Sequence, residues 1–111
     1  MTEFVEVKTQ DISGEALDWA VGYAVRAHDR DSRDAWRHDW LRYYSPSTDW
    51  SHGGPLIDRR ITALNQSGTE SWWAHAEDRL GQGPTPLLAA CRAIVASVLG
   101  DTVSVPKELM P

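Results

Sequence analysis

Ten residues in the middle of this chain, from position 45 to position 54, combine hydroxyls, a carboxylate, an imidazole, an indole and two glycines. Hydroxyls and backbone N–H groups, which glycine allows a ligand to approach closely, can hold a phosphate or a ribose. Trp50 can stack on a base. Ser47 or Asp49 alone could instead cap a turn, but capping needs only one or two such groups. We therefore predict a ligand-binding surface formed by Ser45, Ser47, Thr48, Asp49, Trp50, His52, Gly53 and Gly54.

Arginine residues lie on both sides of this segment. Arg42 precedes it and Arg59 follows it, and arginine forms bidentate contacts with phosphate and carboxylate groups. Both residues are therefore added to the candidate ligand-binding residues. Neighbouring aspartates favour a second interpretation, in which the arginines form a solvated, ion-paired face. The residues concerned are Arg26, Arg30, Arg33, Arg37, Arg42, Arg59 and Arg60, with Asp29, Asp31, Asp34 and Asp39.

Catalytic and metal-binding patterns are weak along the whole sequence. Asp49 and His52 form a loose acid–base pair, so a small hydrolase or transferase is an alternative function. No nucleophile elbow and no glycine-rich phosphate motif occurs. The four histidines lack ligand-type spacing, and we expect neither a metal nor a cofactor. Binding without catalysis, of a small anionic ligand or of another protein, is therefore the favoured function.

Charge and length exclude several classes of protein. Sixteen acidic residues against eleven Lys and Arg give a net charge of −5, which argues against nonspecific binding to duplex nucleic acid. The N-terminal residues lack a signal-peptide pattern, and the longest apolar stretch, residues 87–99, is too short to span a bilayer. We therefore expect one cytoplasmic domain over residues 1–111, with no membrane partner.

Tryptophan is unusually frequent, with six residues against one phenylalanine and three tyrosines. Most of the tryptophans are expected to fill the core, and Trp19 in the first helix is one of them. Trp72 and Trp73 should point to opposite faces of a strand. Exposed tryptophans are typical interface anchors, so we expect a homo-oligomer. A self-associating module without a small ligand is accordingly an alternative function.

Two amphipathic helices and several short strands are predicted to position these residues, in an α+β fold with one antiparallel or mixed sheet of about four or five strands. Thr85, Pro86 and Gly100 bound the clearest helix, in which Cys91 is a small core residue. The other features are a strand at 4–9, a helix over 14–28, a strand at 40–44, a loop at 45–49, a break at 53–55 with a short helix to 58 or 59, a hairpin of 61–64 and 71–76, a linker at 79–84 and an edge strand at 101–105. The conformation of residues 28–40 is left open between helix, loop and hairpin.

Segments spread along most of the chain carry a family resemblance. They are Tyr-Ser-Pro-Ser-Thr-Asp-Trp at 44–50 with Gly-Gly-Pro-Leu-Ile at 53–57, residues 5–9 and 14–21, and residues 83–90, 92, 95–97, 100–101 and 105–106. Together they resemble the NinX-like bacteriophage proteins, a family of unknown function. The Ser-Pro-Ser-Thr-Asp stretch is also similar to small phage domains with an α-β-α sandwich.

The resemblance implies a phage or prophage accessory protein expressed in a bacterial cytoplasm. Binding of a host protein would suit such a protein. So would sequestration of a nucleotide-type signal that serves antiphage defence. The family supplies no catalytic residues to carry over.

Overall fold

Three α-helices and five strands make up the described part of the chain, and the predicted α+β class is confirmed. The structure is a computed structural model that describes residues 3–26 and 44–110. The strand predicted at 40–44 and the open region 28–40 therefore lie almost entirely outside the described residues. The elements in chain order are β1 (Phe4–Lys8), a 3-10 turn (Thr9–Asp11), α1 (Gly14–Arg26), α2 (Trp50–Arg60), β2 (Ala63–Gln66), β3 (Trp72–Ala76), β4 (Arg79–Gly83), α3 (Pro86–Leu99), β5 (Thr102–Pro106) and a 3-10 turn (Lys107–Leu109).

The five strands form two antiparallel sheets rather than the single sheet that was expected. One sheet pairs β1 with β5, and the other has the order β2-β3-β4. The side chain of Gln10 lies along the free edge of β4: its Nε2 donates to Leu80 O (2.9 Å) and its Oε1 accepts from Gln82 N–H (3.1 Å). Because a side-chain amide already satisfies this edge, β4 does not pair with a strand of the other sheet.

The strand β4 replaces the linker that was predicted at residues 79–84, and that prediction was wrong. Arg79–Gly83 pairs with β3 in antiparallel register, after a turn in which Glu77 has a φ of 56°. Two glycines made the segment resemble a loop. Gly81 instead allows close packing, because a Cβ at this position would lie 2.2 Å from Ala89 O and 2.3 Å from Ala93 N of α3.

The helix α3 runs through the centre of the core, and its predicted boundaries are confirmed. Thr85 Oγ1 accepts from Leu88 N–H (3.1 Å), Pro86 opens the helix and Gly100 ends it with a φ of 96°. One face packs on β3 and β4, and the other contacts α1. Cys91 is buried there, and burial raises the pKa of its thiol, as expected of a small core residue. None of the helices in the described part has the length and apolar character needed to cross a membrane.

The helix α1 and the β1–β5 sheet complete a second side of the core. Inward-facing valines of the two strands lie opposite one another, with Val5 paired to Val105 and Val7 paired to Val103. Trp19 is buried in this cluster, as predicted from the helical pattern. The hairpin predicted from residues 61–64 and 71–76 is also present, as β2 and β3, although its first strand lies two residues further along the chain than predicted. The core therefore consists of two apolar clusters that meet along α3.

Candidate functional site

The predicted binding segment, residues 45–54, is half turn and half helix. The helix α2 begins at Trp50 and runs through the Gly-Gly-Pro sequence, so the predicted break at 53–55 was wrong. Asp49 caps it, since Asp49 Oδ1 accepts from Ser51 N–H (2.9 Å) and from Ser51 Oγ (2.6 Å). These hydrogen bonds lower the pKa of the Asp49 carboxyl. The preceding turn is closed by Asp49 N–H, which donates to Ser45 O (2.8 Å).

A buried carboxylate on α1 holds this turn in place. Asp18 is 6% exposed, and its Oδ1 accepts from Ser47 N–H at 2.9 Å. Burial raises the pKa of Asp18, and hydrogen bonding from Ser47 opposes that rise. The Ser47 hydroxyl also acts on the Asp18 carboxylate and favours its charged form. Backbone and side chain of Ser47 therefore both tie the turn to α1.

His52 has a structural role that uses one ring nitrogen. Its Nδ1 accepts from Ser45 N–H (3.0 Å), and its ring stacks on Tyr44 at 5.6 Å between centroids. Asp49 Oδ2 lies 3.8 Å from the same nitrogen. An Nδ1 that accepts a backbone N–H carries no proton to share with Asp49. Both members of the predicted acid–base pair are thus engaged in holding the turn.

The two glycines of the segment differ in environment. Gly53 is buried, and a Cβ there would lie 2.5 Å from Pro46 O and 2.5 Å from Leu87 Cδ2. A Cβ at Gly54 would meet no atom within 4 Å beyond its chain neighbours. Gly53 therefore allows α2 to pack against the turn and against α3, rather than allowing a ligand to approach.

A groove of about 350 Å³ opens where the first turns of α1, α2 and α3 meet. Trp50, which is 55% exposed, stands at this groove. The N-terminal ends of helices carry partial positive charge and N–H groups that await partners. Ser51 N–H and Leu88 N–H already donate to the caps Asp49 and Thr85, so only the N–H groups that the caps do not use can serve as donors to an anion. The residues that line the groove are Ser13, Gly14, Ser47, Thr48, Trp50, Thr85, Pro86, Leu87 and Leu88.

The structure brings three of the ten predicted site residues into this groove, namely Ser47, Thr48 and Trp50. Ser45, Asp49 and His52 lie behind them and hold the turn. Gly53 packs in the interior, and Gly54 lies on α2 away from the groove lining. Arg59 is in the last turn of α2, at the opposite end from Trp50. Arg42 lies outside the described residues, as do most of the clustered arginines.

The groove residues that sequence reasoning missed belong to α1 and α3. Thr85 was recognised as a helix cap, but a cap does not indicate that the start of its helix lies beside the start of another helix. The described arginines in nearby elements are engaged elsewhere: Arg92 donates to Ile12 O (3.0 Å) and Gln82 O (2.7 Å), and Arg79 pairs with Asp101 (2.9 Å). Over residues 3–26 and 44–110, no cluster of three His, Cys, Asp or Glu suited to a metal ion is found.

Removing the charge of Asp18 is expected to change how stability depends on pH. The folded-state pKa lies above the ordinary value of 3.8, so the native state holds this proton more tightly than the unfolded chain. The contribution of Asp18 to stability therefore falls as pH rises from 3.8 through the folded-state pKa. Asp18→Asn should abolish this fall and be at least as stable as the wild type at neutral pH, because the amide oxygen still accepts from Ser47 N–H.

Asp18→Ala provides the contrast, since it leaves the buried Ser47 N–H without a partner. We expect a loss of about 1–3 kcal/mol in the free energy of unfolding. Urea unfolding of the three proteins between acid and neutral pH measures both effects. Parallel pH profiles for the wild type and Asp18→Asn would contradict the assignment of a raised pKa to Asp18.

Comparison with known proteins assigns the chain to a family without assigning it an activity. The family model described as Bacteriophage P22, NinX matches residues 8–98. This match includes α1, α2, the strands β2, β3 and β4 and all but the last residue of α3, and thus every residue that lines the groove. No curated protein matched the chain. With most of its length matched, the chain belongs to the NinX family of phage proteins.

Proposed function

We propose that this phage accessory protein binds a small anionic, nucleotide-type ligand in the groove and does not transform it. The observation that carries the proposal is the exposed indole of Trp50 beside three converging helix starts. Such an indole offers a stacking surface for a base, and the helix starts with the Ser13 and Thr48 hydroxyls offer donors for a phosphate. Sequestration of such a ligand in the cytoplasm of an infected bacterium, against antiphage defence, is the role we propose.

Binding without catalysis is supported by the partners of the two candidate catalytic groups. Asp49 accepts two hydrogen bonds from Ser51, and His52 Nδ1 accepts from the Ser45 backbone. A general base needs a free lone pair directed at the substrate. Neither group lines the groove. The hydrolase or transferase alternative thus receives no support from this arrangement.

Isothermal titration calorimetry with adenosine monophosphate tests the proposal, with the change in melting temperature as a second readout. We expect Trp50→Ala to weaken binding by roughly 5- to 150-fold, the equivalent of about 1–3 kcal/mol for one stacked base. Trp50→Phe, which keeps an aromatic face, should weaken nucleotide binding less than Trp50→Ala does.

Phe4→Ala is the matched control, because Phe4 is an aromatic residue of similar exposure (54%) that lies on β1, outside the groove lining. Its affinity for the nucleotide should equal that of the wild type. If no nucleotide produces heat or raises the melting temperature at millimolar concentration, or if Trp50→Ala and Phe4→Ala bind equally well, the proposal is wrong.

A further inference from the structure

His52 on α2 has two possible partners at one ring nitrogen and can use only one of them at a time. Ser45 N–H donates to His52 Nδ1 at 3.0 Å, and Asp49 Oδ2 lies 3.8 Å from the same atom. Nδ1 accepts a hydrogen bond only while it is unprotonated, and it donates one only when it carries a proton. The backbone of Ser45 and the carboxylate of Asp49 therefore require opposite protonation states of this nitrogen.

Asp49 is a suitable partner for the protonated ring. Its Oδ1 accepts from the backbone and side chain of Ser51, whereas its Oδ2 is the oxygen that faces His52. The hydrogen bonds from Ser51 lower the pKa of Asp49, so this carboxyl stays charged from neutral pH down to about pH 5. The His52 side chain is 31% exposed, so a proton can reach it from solvent. A shift of about 1 Å would then give a charge-assisted hydrogen bond between Nδ1 and Oδ2.

The hydrogen bond that this proton would break lies at the start of the turn. Ser45 O accepts from Thr48 N–H (3.1 Å) and Asp49 N–H (2.8 Å), so the carbonyl of Ser45 closes the turn. The N–H of Ser45 joins the turn to α2 through His52. Once Nδ1 carries a proton, two donors face each other, and Ser45 N–H has to find another acceptor. Protonation of one ring nitrogen therefore removes a link between the turn and the helix.

We propose that His52 is a proton-dependent switch at the start of the turn that carries Ser47 and Thr48. Unprotonated His52 accepts from Ser45 N–H and holds the turn on α2. Protonated His52 donates from Nδ1 to Asp49 Oδ2 and releases Ser45. Histidine is the side chain that ordinarily changes charge between about pH 5 and pH 8, so this is the range in which the switch is tested. The proposal does not depend on whether the groove binds a nucleotide.

Other titratable groups face His52 in the described part of the chain, and their effects can be separated from its own. Tyr44 stacks on the ring, and tyrosine does not titrate below about pH 8. Asp18 of α1 interacts electrostatically with His52 and has a raised pKa, so its protonation would add to a pH response. Each of the three groups His52, Asp18 and Asp49 accepts from a different backbone N–H, and the donors are Ser45, Ser47 and Ser51 respectively. These three amides therefore report on the three acceptors one by one.

Nuclear magnetic resonance of the isotope-labelled wild type between about pH 8 and pH 5 tests the switch. At the higher pH the His52 ring should carry its proton on Nε2 and leave Nδ1 unprotonated. As the pH falls, the Ser45 amide signal should shift together with the His52 ring signals. Its protection against hydrogen exchange should fall at least about fivefold, while the Ser51 amide keeps its protection. A proton on Nδ1 at the higher pH, or a Ser45 amide that does not respond while the ring titrates, would overturn the proposal.

His52→Asn keeps an acceptor that does not titrate. The side-chain oxygen of asparagine can take the place of Nδ1, so the Ser45 amide should keep its protection at both ends of the pH range. Persistence of the Ser45 transition in this variant would assign the transition to Asp18 and contradict the proposal. If His52→Asn does not fold, the titration of the wild type decides.

Asp49→Asn tests the second partner of the ring. Its amide oxygen can still cap α2 by accepting from Ser51 N–H, but it lacks the charge that attracts a protonated imidazole. The midpoint of the Ser45 transition should therefore move to lower pH by roughly a few tenths of a pH unit. Asp58→Asn, further along the same helix, is the matched control and should leave the midpoint unchanged. Equal midpoints in Asp49→Asn and Asp58→Asn would overturn the exchange of partners.

Discussion

Gly81→Ala is expected to lower the free energy of unfolding by about 3 kcal/mol or more. A methyl group at this position would lie 2.2 Å from Ala89 O and 2.3 Å from Ala93 N, both backbone atoms of α3. A flexible side chain could move aside, but a helix backbone cannot do so without moving the helix. Because α3 packs against both parts of the core, displacing it should weaken the whole domain.

Urea unfolding monitored by tryptophan fluorescence measures this loss. Leu80→Ala is the matched control, since Leu80 is the neighbouring residue of the same strand and is 42% exposed. Truncating Leu80 removes little buried surface and should cost less than about 1 kcal/mol. A Gly81→Ala protein as stable as Leu80→Ala would show that β4 does not approach α3 this closely.

Substitution of the two adjacent glycines of α2 should have unequal effects. Gly53→Ala would introduce a Cβ 2.5 Å from Pro46 O and from Leu87 Cδ2, and we expect a loss of about 1–3 kcal/mol. Gly54→Ala adds a methyl group in open space. There the gain in helix propensity opposes the crowding of a Cβ before Pro55, so the free energy of unfolding should change by less than about 1 kcal/mol.

The Gly53→Ala and Gly54→Ala variants also test whether packing of α2 affects ligand binding in the groove. Gly53→Ala should push the turn that carries Ser47 and Thr48 away from α2, and so weaken binding of the nucleotide as well as lower stability. Gly54→Ala should leave affinity unchanged. Urea unfolding and calorimetry on both proteins provide the two readouts. Equal stability of the two variants would contradict the packing role assigned to Gly53.

Local features of the sequence predicted the elements that local chemistry controls. Thr85, Pro86 and Gly100 mark the ends of α3 because a cap, a fixed φ and a left-handed residue act within one turn of helix. Alternating valines likewise predicted β1 and β5. The segment around Gly53 was predicted incorrectly, since Gly-Gly-Pro disfavours a helix on propensity alone. Packing of α2 on Pro46 and Leu87 overrides that preference, and Leu87 lies far from α2 along the chain.

The candidate site, too, could be predicted only in part from local features of the sequence. Ser47, Thr48 and Trp50 could be identified from a polar, glycine-containing segment, and the family from the order of matching segments. The sequence by itself thus determined the fold class, the family, the boundaries of α3 and part of the candidate groove. Only the tertiary structure placed the starts of α1 and α3 beside that of α2 and buried Asp18 under the turn. The reason is physical: caps and periodicity act over a few residues, whereas a groove is formed by close packing between residues far apart in the chain.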